Sequence, residues 1–541
     1  MALRRTWLLG MLLGSAVAIV QGCGSDDADD DANGDGSSSG GNNTSGGNNT
    51  SGGNNTSGGN NASGGNNGTS SGGSGESGSS GESGSSSGES SSGSNGSSSG
   101  ESSSGESSSG GSSSGGSSGA SSGGSSSGAI SQGAQRVAVG SLHACAIRND
   151  GALKCWGYNY YGQLGLGDRS DRGDAPGEMG NLLPAVDLGG RRAVSVFAGG
   201  DSTCVLMDDD KLTCFGNNPN GRLGLGSSEG YRGAALNQMG ENLKLVDLGT
   251  NAKAKTLAMS DDFTCALLTD GRVKCWGSVS GNSYGQLGRT GTYGTPGTMG
   301  DNLPAVNLGA GRTAVAIAAG DRHACAVLDN ATLKCWGYGS NLGLEGTAHH
   351  GLTEASMGDN LPAVNLASLN VRAIDLGDQH ACAIVDLAGV DRAKCWGYNY
   401  YGQLGFPANG NNTYGDAIND MGGNLAPLDL GGAVKRVRGG ANYTCAENDA
   451  GELRCWGRNL SGVLGHGNTS NTNSPGAPLA LPAAVVDLAT GPSAACAVFA
   501  DGTVRCWGSG LRGVLGRGSQ DSIGDGVGEM GANLVPVDLG D

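Results

Sequence analysis

Basic side chains are in short supply: 32 lysines and arginines stand against 50 aspartates and glutamates, a formal net charge of −18. An acidic surface without a basic stripe argues against binding the phosphate backbone of a nucleic acid. Long apolar runs are short too. The run from Trp7 to Val20 has fourteen residues, where about 20 are needed to span a bilayer. No Cys-x-x-Cys occurs, and a cysteine spacing of ten fits no usual zinc site. A phosphate-binding Gly-x-x-x-x-Gly-Lys and a twelve-residue calcium loop are also absent. Histidine is rare, with six in all. Three of them, His143, His323 and His380, precede a cysteine by two residues, but Ser202, Phe263, Tyr443 and Ala494 fill the same position elsewhere. A position that accepts Phe and Ala points to packing or a hydrogen bond rather than ligation.

What is present begins with a basic pair, Arg4-Arg5, ahead of the short apolar run. That is the shape of a secretory signal peptide over residues 1–22. Val20-Gln21-Gly22-Cys23 resembles a bacterial lipobox, which predicts acylation of Cys23. Residues 23–135 are Ser, Gly and Asn in short tandem units, with six Asp, five Glu and no Lys or Arg. Such a stretch has too little to bury to offset the entropy of ordering it. It reads as a disordered acidic tether with a root-mean-square reach of about 60 Å.

From residue 136 to 541 the chain repeats. Fourteen cysteines fall into seven pairs: Cys145 with Cys155, Cys204 with Cys214, Cys265 with Cys275, Cys325 with Cys335, Cys382 with Cys395, Cys445 with Cys455 and Cys496 with Cys506. The second members follow one another at steps of 59, 61, 60, 60, 60 and 51. Seven such units predict a closed array. Their approximate bounds are 136–189, 190–249, 250–309, 310–367, 368–431, 432–483 and 484–541. Each unit reads as four short strands: an apolar strand A such as Ala193 to Gly199, strand B around the first cysteine, strand C as Leu-Lys-Cys-Trp-Gly, and strand D as Pro184 to Leu188. Gly151, Gly271, Gly451 and Gly502 stand third in the B-to-C turn, where a positive φ is needed. The fold expected is an all-β, seven-bladed β-propeller of four-stranded antiparallel blades, preceded by the signal peptide and linker. That turn sets Cys145 opposite Cys155 and the small Ala144 opposite Trp156. Opposed Cα atoms about 4.5–5.5 Å apart suit a disulfide, and export makes oxidation plausible. All seven pairs are therefore expected as disulfides.

The segment HACAIRNDGALKCWGYNYYGQLG, with Gly-Gln-Leu-Gly recurring at Gly162, Gly285 and Gly402, resembles the repeat of the regulator of chromosome condensation family. The resemblance implies a seven-bladed propeller. It also implies a guanine nucleotide exchange role, as in the eukaryotic founder, which an exported chain would not serve. Paired cysteines are typical of exported bacterial members. Six units depart from the family by an added segment at Met179, Met239, Met299, Met357, Met421 and Met530, which reads Met-Gly-x-Asn-Leu in all but the first, where it is Met-Gly-Asn-Leu-Leu.

Eleven of the twelve tyrosines lie between strands C and D. Those beside Trp-Gly, such as Tyr158, are expected to pack against neighbouring blades. Tyr160, Tyr161, Tyr400 and Tyr401 are the candidate contact residues, because tyrosine offers large area at modest entropy cost. The reading is a non-enzymatic, lipid-anchored protein of the bacterial cell envelope that uses no cofactor and binds another protein or a surface glycan. A propeller enzyme acting on an extracellular polymer is the alternative.

Overall fold

In the computed structural model the described residues are 136–278, 280–407 and 412–541. The expected signal peptide, Cys23 and the expected tether lie outside them. Seven antiparallel sheets follow one another along the chain. Their first strands, among them Arg136–Val139, Ala193–Gly199 and Val485–Thr490, line a common central channel of about 390 Å³. Strands B and C lie successively outward. The hairpin register is the one expected: Cys145 faces Cys155 and Ala144 faces Trp156, and Thr203 faces Phe215. Thr264 likewise faces Trp276. The small partner leaves room for each ring, and Phe215 and the tryptophans of the other six blades are fully buried.

The seven cysteine pairs are all joined across strands B and C. Cys145 bonds Cys155, Cys204 bonds Cys214, Cys265 bonds Cys275, and Cys325 bonds Cys335. Cys382 bonds Cys395 over a hairpin three residues longer, Cys445 bonds Cys455, and Cys496 bonds Cys506. Their Cα atoms are 4.0–4.1 Å apart. This corrects the expected spacing of about 4.5–5.5 Å: the opposed cysteines lie closer than that. A crosslink at the usual spacing closes a loop of about 11 residues, worth about 2–3 kcal/mol in the chain-entropy account.

Strand D departs from expectation. Five sheets have three strands and two have four. The fourth position beside the Trp-Gly is taken by other residues: Tyr231–Arg232 and Thr413–Tyr414 as two-residue strands, and Arg172, Tyr293, His350, Thr472 and Ile523 as single bridges. Pro184 to Leu188 is extended and buries Val186 and Leu188 alternately. Yet only the Val186 N–H reaches strand C, donating to the Leu153 carbonyl at 2.8 Å. Pro184 has no N–H to give, and the next carbonyl, that of Asp187, accepts from Gly240 of the following blade at 3.1 Å.

That last bond explains the Met-Gly-x-Asn-Leu segments. The glycine N–H of each docks on the extended segment of the preceding blade: Gly180 on Asp538, Gly300 on Asp247, Gly358 on Asn307, Gly422 on Asn365 and Gly531 on Ala480, at 2.9–3.0 Å. The lysine of Leu-Lys-Cys-Trp caps the same junction. Lys334 Nζ donates to the carbonyls of Leu308 at 3.1 Å and Gly358 at 2.7 Å. Lys154, Lys274 and Lys394 act alike, and burial lowers the pKa of all four ammonium groups.

The first and last blades close by the same contacts. Trp156 Nε1 donates to the Val514 carbonyl at 2.8 Å, as Trp276 does to Arg222 and Trp456 to Gln403, each at 3.0 Å. Among the described residues no strand is exchanged between the first and last sheets.

Candidate functional site

One hydrogen bond, repeated in every blade, builds the loop face. The residue after each Trp-Gly or Phe-Gly donates its N–H to the A-to-B turn: Tyr158 to Leu142, Asn217 to Asp201, Ser278 to Asp262, Tyr338 to Arg322, Tyr398 to Gln379, Arg458 to Asn442 and Ser509 to Ser493, at 2.9–3.1 Å. The C-to-D loops and the A-to-B turns therefore open on the same side. A buried asparagine then shapes the long loop in five of the seven blades. Asn159 Oδ1 accepts the Leu164 N–H at 3.0 Å, and Asn399 and Asn459 repeat the bond with Leu404 and Leu464 at the same distance. Gln163 Oε1 accepts the Tyr161 N–H at 3.0 Å, which leaves Tyr160 at the loop's outer bend.

The predicted residues form two matching aromatic clusters. In the first blade Tyr160 is 51% exposed, lies parallel to Tyr158 at 6.4 Å and meets Tyr161 edge-on at 5.0 Å. In the fifth, Tyr400 is 59% exposed, lies parallel to Tyr398 at 6.3 Å and meets Tyr401 at 4.9 Å. Tyr161 and Tyr401 are half-buried, so they brace the exposed rings. The two clusters do not meet, because blades six and seven stand between them.

What fills that interval was not singled out from the sequence. Leu460 and Leu511 occupy the Tyr160 position in blades six and seven and are 70% and 50% exposed. Tyr400, Leu460, Leu511 and Tyr160 thus make an apolar arc over four consecutive blades. Blades two, three and four instead carry Pro219, Ser283 and, in a loop two residues shorter, Ser340. Arginines stack on tyrosines in and beside the arc: Arg458 over Tyr401 at 4.9 Å, Arg512 over Tyr158 at 5.2 Å and Arg169 over Tyr160 at 5.0 Å. Tyr158, Tyr160, Arg169 and Arg512 line a shallow recess of about 450 Å³ together with Asp171, Asp174 and Glu178. Counting tyrosines found the clusters. Aligning the units on Trp-Gly would have found the leucines.

The other half of the face is acidic around the channel mouth. Asp378 carries a carboxyl pushed up to about 8, first by burial and then by the charges of Asp261 and Asp321. Asp201 and Asp321 are raised as well, chiefly by burial. Among the described residues no group of His, Cys, Asp or Glu is arranged to hold a metal ion. His143, His323 and His380 are fully buried, and burial lowers the first two to about 3 and the last to about 4. His143 Nε2 meets Thr203 Oγ1 at 2.8 Å and His380 Nε2 meets Thr444 Oγ1 at 2.8 Å. Asp208-Asp209-Asp210 forms a turn in which Asp209 pairs with Arg191 and Asp210 with Lys253. In Arg172-Gly173-Asp174, the arginine is held by Asp168 at 2.6 Å.

Fold and face together define a seven-bladed β-propeller whose long loops present an aromatic surface. The pattern described as "Regulator of chromosome condensation (RCC1) repeat" matches residues 134–163, 193–222, 254–286, 314–341 and 485–513, and a second pattern of that description matches 150–206. The chain carries regulator of chromosome condensation repeats over several blades. It is 28% identical over 393 residues to the ultraviolet-B receptor UVR8 of Arabidopsis thaliana, covering 71% of this chain and 78% of the receptor. It is 26% identical over 378 residues to the human E3 ubiquitin-protein ligase HERC2, covering 69% of this chain but only 7% of the ligase. A secretion-regulating guanine nucleotide exchange factor of Bos taurus is 30% identical over 271 residues, covering 48% of this chain and about half, 51%, of the factor. The solved structure of human WBSCR16 superposes with a TM-score of 0.50 at 20% identity, covering 66% of this chain and 85% of that one.

Proposed function

We propose that this propeller is a protein-binding module held at the bacterial cell envelope by an acylated Cys23 and the acidic 23–135 tether. The observation that carries the reading is the arc of Tyr400, Leu460, Leu511 and Tyr160, exposed at one repeat position in four adjacent blades. Rigid rings braced by neighbours and flanked by guanidinium groups are the usual anchors of a protein interface. A protein partner is favoured over a glycan because two of the four anchors are leucines, which offer a sugar neither stacking nor hydrogen bonds. The reading includes no catalytic residue and no cofactor.

The test is crosslinking on intact cells followed by partner identification, with wild type beside a Tyr160→Ala, Tyr161→Ala, Tyr400→Ala, Tyr401→Ala variant. Loss of one protein partner in the variant supports the reading. Unchanged partners overturn it, and capture of envelope polysaccharide alone moves the assignment to a glycan. Mass analysis of the mature N-terminus tests the anchor: a lipidated Cys23 is expected, whereas an intact Met1 would reopen the nucleotide-exchange role that one relative's name suggests.

A further inference from the structure

The junctions between blades one and two and between blades five and six share a short polar chain. His380 Nε2 meets Thr444 Oγ1 at 2.8 Å, Thr444 Oγ1 donates to the Gln403 carbonyl at 2.8 Å, and Trp456 Nε1 donates to that same carbonyl at 3.0 Å. His143 and Thr203 repeat the first two links, with Thr203 donating to Gln163 at 2.8 Å. Histidine stands in this position only once more, at His323 in blade four, and there the next blade supplies Ala381 where the others supply threonine. The acceptor side is altered as well. The blade-four loop from Gly337 to Gly343 is two residues shorter than that from Gly397 to Gly405.

Both ends of the chain are left over as a result. His323 Nε2 and Trp396 Nε1 both lack a partner in hydrogen-bond geometry, and the polar group that approaches the His323 ring from the next blade is the His380 backbone. His323, Ala381 and Trp396 are fully buried. Ala381 and Trp396 are cross-strand partners, so the two orphans flank the volume that a threonine side chain fills elsewhere. The indole occupies its usual seat, since Gly343 lies against Trp396 Nε1 as Gly405 lies against Trp456 Nε1. Two unpaired buried groups at one junction would cost about 1–3 kcal/mol each.

We infer that the blade four–five junction is a binding site for one buried water, which takes the place of the missing threonine hydroxyl. The water accepts from Trp396 Nε1–H and bonds His323 Nε2, and its remaining capacity goes to loop carbonyls of blade four. A polar site with at least two fixed partners and the space freed by Thr-to-Ala is the setting in which internal waters are retained.

A crystal structure at high resolution is the direct test, and a water within about 3.2 Å of both nitrogens is the expected result. A dry or apolar-filled site overturns the inference. In solution, water-oxygen relaxation dispersion on the whole chain should lose the amplitude of one long-lived water in Ala381→Thr. Ala381→Ser serves the same purpose if threonine does not fold. An unchanged amplitude in a folded variant also overturns it.

Discussion

Ala331 holds a backbone conformation that its side chain resists. It is third in the B-to-C turn of blade four with φ at 62°, where Gly151, Gly271, Gly451 and Gly502 have φ of 80–82°. Its N–H closes the same turn, donating to the Leu328 carbonyl at 2.9 Å, so the geometry is imposed by the hairpin and not chosen by alanine. A Cβ in this region costs about 1 kcal/mol. Ala331→Gly should raise stability by about 0.5–1 kcal/mol, seen as a higher urea midpoint at unchanged slope. Asp378 makes the opposite kind of residue-level cost. Its folded pKa of about 8 exceeds the ordinary carboxylate value, so the folded state binds the extra proton and the group's contribution is lost as pH rises from about 4 towards 8. The groups facing it are Asp261 and Asp321, and removing its charge relieves both repulsions. Asp378→Asn is therefore expected to melt near wild type at pH 4 and to gain about 1–3 kcal/mol at pH 8. A constant difference across that range would refute the assignment.

At the scale of the element, each hairpin was legible because its constraints are local. A cysteine must face a cysteine and a tryptophan must face a small residue, so the spacing of ten and the Asn149-Asp150-Gly151 turn admit one register. Strand D was not legible for a physical reason. The alternation of Val186 and Leu188 reports which side chains are buried, but it carries no information on where each N–H and carbonyl is spent. Here the Asp187 carbonyl leaves its own blade to hold Gly240 of the next. The Tyr160 and Tyr400 clusters could be read from repetition, whereas Leu460, Leu511 and the stacked arginines look ordinary until the units are superposed. The glycine clasp yields its own prediction. Gly300 has φ of 70° and a Cβ there would lie 2.5 Å from Asp247 Oδ2. Gly300→Ala is expected to cost about 2 kcal/mol in strain and displaced contact, measured by urea unfolding. Faster amide exchange should appear at Gly300, whose N–H makes the clasp, and not in the hairpin of the opposite blade.

The whole ring is held by seven junctions, and the one that joins the chain's last blade to its first is built like the rest. Trp156 reaches Val514 and Gly180 reaches Asp538, while Arg148 Nη1 donates to the carbonyls of Leu539 and Gly540 at 2.9 and 2.8 Å. If the covalent break at this junction is energetically incidental, moving it should matter little. The step from Leu188 to Ser195 between blades one and two measures what a continuous link requires, since Ser195 and Arg136 hold equivalent places in their first strands. By that measure about four residues joining Asp541 to Arg136 would complete the circle without strain. A permutant with this linker, beginning at Gly190 and ending at Gly189, is expected to fold with all seven crosslinks and a Tm within a few degrees of the parent propeller. Native thiol counting and calorimetry check it. A permutant that exposes free thiols or melts in two steps would mean that the break between Asp541 and Arg136 contributes something that the repeated junction contacts do not.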